Sequence, residues 1–250
     1  MNTTRTGTAS ALLLLATLAL AGCATSPGQS AGVPDTTAPD TTAPGGDASS
    51  PAEDAELDAA WLDEGRAIGV VTYGSSSCAP VVGEATAAGQ TVTVEITDPE
   101  AAACTRDYVP RASYVALPAG VDPSQDVEVI VTGTYAGDTD LDGVPGLVPP
   151  TADGEIGEMV PSAGWFDDDG IVLLTYGSST CPPVFESIDA VSADEIRAVE
   201  AAAPADQVCT MDYAPRLSVL QVAGVSDDAR PGEIVLVSAT GDEQRVGILG

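Results

Sequence analysis

"TYGSSSCAP" (Thr72–Pro80) returns as "TYGSSTCPP" (Thr175–Pro183), and the residues around the two copies also return in order. Each copy opens on a tryptophan and an acidic turn, "WLDEG" from Trp61 and "WFDDDG" from Trp165. An apolar run follows, "AIGVVTY" (Ala67–Tyr73) or "GIVLLTY" (Gly170–Tyr176), and then the Gly-Ser-Ser loop with its cysteine. A second shared string comes later, "CTRDYVPR" (Cys104–Arg111) and "CTMDYAPR" (Cys209–Arg216). Both copies close on a Val/Ile run, "VEVIVTG" (Val127–Gly133) and "EIVLVSATG" (Glu233–Gly241). A fixed order at a long period is the signature of a duplicated structural unit. Short β-branched runs bounded by Gly, Pro, Asp and Ser predict strands. "TVTVEIT" (Thr91–Thr97) alternates with period two, as a half-buried strand does. Its counterpart "ADEIRAVEAAA" (Ala193–Ala203) is rich enough in alanine to allow a helix, but its aligned position predicts a strand running into a loop. The fold class expected is mostly β: two tandem small β domains, sandwich- or barrel-like, with about four or five strands each and little helix.

The cysteines fit this plan. Cys78 and Cys104 lie in the first copy and Cys181 and Cys209 in the second. Four cysteines allow three connectivities, and the duplication selects pairing within each copy. Such a bond closes a loop of roughly twenty-odd residues, worth about 3 to 4 kcal/mol on the chain-entropy model. That is comparable with the net stability of a unit this small. Reactive thiols or a four-cysteine metal site fit less well without CxxC spacing.

Upstream of the copies, Arg5 precedes the apolar run "ALLLLATLALAG" (Ala11–Gly22). A charged start, a short apolar core and small residues at the end form a secretion signal over residues 1–22. Leu20-Ala21-Gly22-Cys23 resembles the bacterial lipobox. That resemblance implies acylation of Cys23, with palmitate or a related chain, and anchoring at the outer face of the cell membrane. The plain alternative is an ordinary signal with a chance cysteine. Residues 23–57, with "TTAPD"-like repeats around Asp35 and Asp40, hold almost no large apolar side chain. They are expected to form a disordered, extended tether. The modules are expected over 58–135 and 161–250, joined by an acidic connector over 136–160.

Composition removes much chemistry. The chain has no histidine, and all eight basic residues are arginines. Arginine stays charged and cannot act as a base. Ser-His-Asp, Cys-His and Ser-Lys catalysis are therefore excluded, as is histidine-ligated zinc. The formal charge of −30 opposes nucleic acid as a partner. A non-enzyme is expected, with no catalytic residue assigned. The remaining enzyme class is a carboxylate-based glycan hydrolase.

Three groups are candidate sites. Asp107, Tyr108 and Arg111, with Asp212, Tyr213 and Arg216, combine residue types favoured at interfaces. A structural role, with Asp and Arg paired or pinning a neighbouring strand, explains their retention equally well. The Gly-Ser-Ser loops have the backbone of an anion nest, but no basic residue adjoins either loop. Asp138, Asp140, Asp142 and Gly143 match the first half of a D-x-D-x-D-G calcium loop. Pro149 stands where the closing glutamate belongs, with Asp153 or Glu155 left to complete the shell. An acidic, solvated connector is the duller reading.

A lipobox, a Thr/Ser/Pro tether and a "GSSSCxP … CTxDxxPR" module resemble a group of uncharacterised actinobacterial cell-surface lipoproteins. The resemblance implies anchoring and an extracytoplasmic β fold. The tether and the duplication point to an unknown protein, glycan or small ligand as partner, or to a spacer. It supplies no catalytic residues.

Overall fold

A computed structural model of the chain describes residues 56–100, 103–225 and 230–250. The signal segment 1–22, Cys23 and nearly all of the tether 23–57 lie outside them. Apart from one short 3-10 turn at Asp63–Gly65, the regular structure of the described part is all β-strand. The first copy contributes β1 (Leu57–Leu62), β2 (Ala67–Gly74), β3 (Val81–Val82), β4 (Thr86–Ala88), β5 (Thr91–Thr97), β6 (Val109–Ala116), β7 (Val127–Gly133) and β8 (Gly137–Leu141). The second contributes β9 (Ser162–Trp165), β10 (Gly170–Gly177), β11 (Phe185–Ala190), β12 (Glu195–Glu200), β13 (Ala214–Gln221), β14 (Glu233–Val237) and β15 (Glu243–Leu249).

In each copy a three-stranded antiparallel sheet faces a larger one. The first has β1-β2-β6 over β3-β5-β7-β8, with β4 beside β5. The second has β9-β10-β13 and β11-β12-β14-β15, joined by parallel pairing of Ile248 and Leu249 with Ala163 and Gly164. The duplication extends to direction: β5 pairs β7 in parallel, as β12 pairs β14. Each copy fills its own core from inward-facing alternate residues, as in a β-sandwich. Trp61, Ile68, Val70, Val92, Val94, Ile96, Val129 and Val131 are buried together in the first core. Trp165, Ile171, Leu173, Ile196, Ile234 and Leu236 are buried in the second.

A third core joins the copies. Ala60, Leu62, Ala67 and Val71 from β1 and β2 pack with Val172, Leu174 and Tyr176 from β10. Strands β2 and β10 are thus buried on both faces, which is why "AIGVV" and "GIVLL" read as unbroken apolar runs rather than alternating ones. The contact is between like positions. A side-chain carbon on Gly69 would collide with its counterpart Val172, and one on Gly164 would press on its counterpart Ala60 and on the carbonyl of Trp61. Like positions meeting at two separate points relate the copies by an approximate two-fold axis. The glycine at each crossing makes room for the larger residue of the other copy.

Several elements differ from the sequence reading. The connector expected from residue 136 begins as strand β8, paired along β7 from Val127↔Leu141 to Val131↔Gly137. Its acids hid it, because Asp138 and Asp140 are exposed and only Leu141 is buried. Strand count is also higher than expected, since β3 and β4 are too short to show a hydrophobic period. "EIRAVE" is a strand, β12, and leaves the sheet at Ala201 as its alignment predicted.

The glycine at the inter-copy crossing gives a direct test. Gly164→Val should lower stability by about 1–3 kcal/mol or more, because neither the Trp61 carbonyl nor Ala60 can retreat from a buried seam. Urea unfolding followed by tryptophan fluorescence checks this, and an unchanged midpoint would contradict the packing described.

Candidate functional site

The Gly-Ser-Ser loops begin where β2 and β10 end. Each turns through a backbone bond from its cysteine, Cys78 N–H to Ser75 O at 3.5 Å and Cys181 N–H to Ser178 O at 3.2 Å. The disulfides Cys78–Cys104 and Cys181–Cys209 then bring in the second string, across separations of 26 and 28 residues. That string caps the loop. Asp107 accepts the Ser76 N–H at 3.2 Å and the Thr105 hydroxyl, while Thr105 N–H donates to Ser77 Oγ at 3.0 Å. In the second copy Asp212 accepts the Ser179 N–H at 3.1 Å and the Thr210 hydroxyl, and Thr210 N–H donates to Thr180 Oγ1 at 3.0 Å. These bonds favour the ionised carboxylate. The Ser76 contact first and Thr105 second bring Asp107 down to about 2, and Ser179 and Thr210 do the same for Asp212.

The arginine of the string works on the other side of the loop. Arg111 donates to Cys78 O at 2.7 Å and to Ser75 O at 3.1 Å. Arg216 donates to Cys181 O at 2.7 Å and to Tyr176 O at 3.1 Å. The guanidinium lies so close beneath Gly74, and beneath Gly177 in the other copy, that a side-chain carbon at either would meet it. This close approach is the reason for glycine in the motif, since neither position has the positive φ that turns often require. Asp and Arg therefore do not pair with each other; each serves the loop separately. Tyr108 stacks on Tyr73 at 5.6 Å and Tyr213 on Tyr176 at 5.9 Å. Both outer tyrosines stay mostly exposed, at 69% and 64%. Asp107 and Asp212 are exposed as well, while Arg111 and Arg216 are half-buried.

The first loop and the proline after the second loop's cysteine border one cleft. Ser76, Ala79 and Pro80 of the first loop and Pro182 of the second border a space of about 350 Å³, floored by Arg111, Leu217 and Val219.

The D-x-D-x-D-G match falls on strand β8 and the residues just after it. Asp138 and Asp140 lie on β8 opposite Ile130 and Glu128, so their D-x-D spacing is the two-residue period of a strand, not the curl of a loop. Asp142 uses its carbonyl to accept the Trp61 indole N–H at 2.8 Å. Gly143 is needed because a side chain there would strike the backbone at Ser124 and Gln125. Glu155 holds Thr151 and Asp153 holds the Ala119 N–H, so neither turns toward the strand acids. Among the described residues no group of three or more His, Cys, Asp or Glu side chains is placed to hold a metal ion. "WFDDDG" is a hairpin turn closed by Phe166 N–H to Gly170 O at 3.0 Å.

Two features were missed in the sequence. Asp63 is a buried carboxylate, 1% exposed, that accepts Arg66 Nη2 at 3.2 Å and the Gly157 N–H at 2.9 Å. Its own N–H donates to Ser162 Oγ at 2.8 Å, tying the first acidic turn to the second copy. Asp63 and Glu64 both take left-handed backbone angles there, which non-glycine residues seldom adopt. The second feature is Glu200. Registers along β5–β7 and β12–β14 place it at the position of Ile96, a fully buried core residue. Alignment of the two copies would have exposed this acid in an apolar place.

No protein-family model, curated protein or solved structure matches the chain.

The caps make stability depend on acid. Both carboxylates have folded values near 2, below the roughly 3.9 of an unfolded aspartate. Their contribution is present above about pH 4 and is lost as pH falls toward 2. Asp107→Asn/Asp212→Asn should be less stable than the parent at pH 5, with the gap closing by about pH 2. Urea midpoints at both pH values test this, and a constant gap would refute the capping role.

Proposed function

We propose that the chain is an extracytoplasmic lipoprotein, anchored through Cys23, whose fused β modules form a non-enzymatic binding head. The observation that carries the binding reading is the cleft between the first Gly-Ser-Ser loop and Pro182 of the second motif. The first motif gives Ser76, Ala79 and Pro80 and the second gives Pro182 to a space of about 350 Å³, within the size range of small-ligand sites. Support for a non-catalytic role comes from how the repeated polar residues are used. Asp107, Arg111, Asp212 and Arg216 each bond backbone atoms that shape the loops. Within-copy disulfides suit an oxidising compartment. The lipobox-like Leu20-Ala21-Gly22-Cys23 and the Pro/Thr-rich stretch after it supply the anchor and the reach.

The test has two arms in the native host. Radiolabelled palmitate should enter the full chain and be lost with Cys23→Ser, which should also leave the membrane fraction. Equal labelling of both forms would overturn the anchor. Cell-wall extract and culture components passed over the purified chain should leave a retained ligand that a bulky Ala79→Trp in the cleft reduces. Retention of nothing would make the head a spacer.

A further inference from the structure

The two copies differ most beneath their arginines. In the first, Arg111 has a third partner: its Nη2 donates to the Tyr135 hydroxyl at 2.6 Å, and that hydroxyl donates to Asp98 Oδ1. The phenol is thus held between a guanidinium and a carboxylate, accepting from one and donating to the other. Tyr135 comes from the β7–β8 hairpin, and Asp98 from the residue just past β5.

The second copy keeps the arginine and lacks both of the others. The β14–β15 hairpin, Ser238-Ala239-Thr240-Gly241-Asp242, has no aromatic residue and closes on itself through Ser238 N–H to Asp242 O at 2.8 Å. The position of Asp98 is Ala202 by the β5–β12 register. Space opens on both sides of Arg216 as a result. One cavity of about 450 Å³ lies toward the hairpin, bordered by Tyr213, Ser238, Asp242, Glu200 and Arg216. Another of about 500 Å³ lies toward the disulfide, bordered by Pro183, Val184, Ala201, Ala203, Glu200 and Arg216. Arg216 and Glu200 are the two residues common to both walls.

Glu200 is the unusual member. It replaces the core residue Ile96 and is half-buried. Among the described residues no hydrogen bond or ion pair engages it. Its carboxylate is left open to both cavities, where a donor can bond it. Next to an arginine, the missing group is one that accepts from the guanidinium and donates to the carboxylate. A hydroxyl does both, and an aromatic ring suits walls of proline, valine and alanine. The first copy already holds such a group in the equivalent place.

We propose that the second module binds a phenol, seating its hydroxyl between Arg216 and Glu200 as the first module seats Tyr135 between Arg111 and Asp98. A neutral aryl alcohol is favoured over an aryl acid, because Glu200 and the chain's charge of −30 repel anions. The source is either a free phenol or the tyrosine side chain of a peptide. This site shares only Pro182 with the cleft at Ala79, so its failure and that of the binding head above are read independently.

The experiment titrates the purified full chain, with both disulfides formed, against 4-methylphenol, toluene and N-acetyl-tyrosinamide. Arginine side-chain and tyrosine ring NMR signals are followed. Saturable shifts are expected at Arg216 and Tyr213 but not at Arg111, with toluene weaker by about tenfold or more for want of the charged hydrogen bonds. Binding of N-acetyl-tyrosinamide as tight as that of 4-methylphenol would support a peptide source, and its exclusion would support a small phenol. Glu200→Ile restores the residue of the first copy and should fold at least as stably, while weakening 4-methylphenol by about tenfold or more. Absence of saturable shifts, equal affinity for toluene, or full affinity in folded Glu200→Ile would overturn the proposal.

Discussion

Strands β2 and β10 have no solvent face, and the architecture depends on that constraint. Each gives alternate residues to its own copy's core and the rest to the seam between copies. A sandwich of this size alone would bury little apolar surface. Stacking two of them adds a core without lengthening either. The seam demands close approach of like positions, and the glycines at 69 and 164 supply it on opposite sides. Divergence between the copies is here a condition of fit: two valines or two glycines at the crossing would leave overlap or a void.

At the ends of these strands the repeated loop is held by a different device. A disulfide fixes the covalent path, an aspartate satisfies the backbone donors, and an arginine satisfies the carbonyls beneath the glycine. The aspartate, arginine and cysteine kept in both copies each have a bond that explains them. The pattern that drew attention as a candidate recognition surface is mainly the chemistry of closing a turn. Recognition is better sought where the copies disagree, because a residue that has left the shared plan is not held there by the fold. Ile96 against Glu200 is such a place, and so is Tyr135 against a hairpin without an aromatic.

Much of this was legible in the residues, for identifiable reasons. The β class, the duplication and the disulfide pairing followed from order and spacing, which survive any change of environment. Strand β12 was legible only through its alignment with β5. Strand β8 was not, since Asp138 and Asp140 occupy the solvent side of an edge and mimic a metal loop. The fusion of the modules was signalled faintly by "AIGVV" and "GIVLL", runs too apolar for strands with one wet face. The cleft between the first loop and Pro182 had no local signal at all, because it depends on how two distant sheets stack. Asp63 was equally silent: nothing in "WLDEG" shows that the first acid turns inward to Arg66 while the second faces water.

Strand β8 has a consequence for how the molecule meets its neighbours. It is the last strand of its sheet, and such an edge is where another molecule can continue the ladder. Here β8 lies beside β1, as β15 pairs with β9 in the second copy, so the chain covers that margin itself. Asp138 and Asp140 keep its outer face in water, and a covered, wetted margin is a poor template for fibrils.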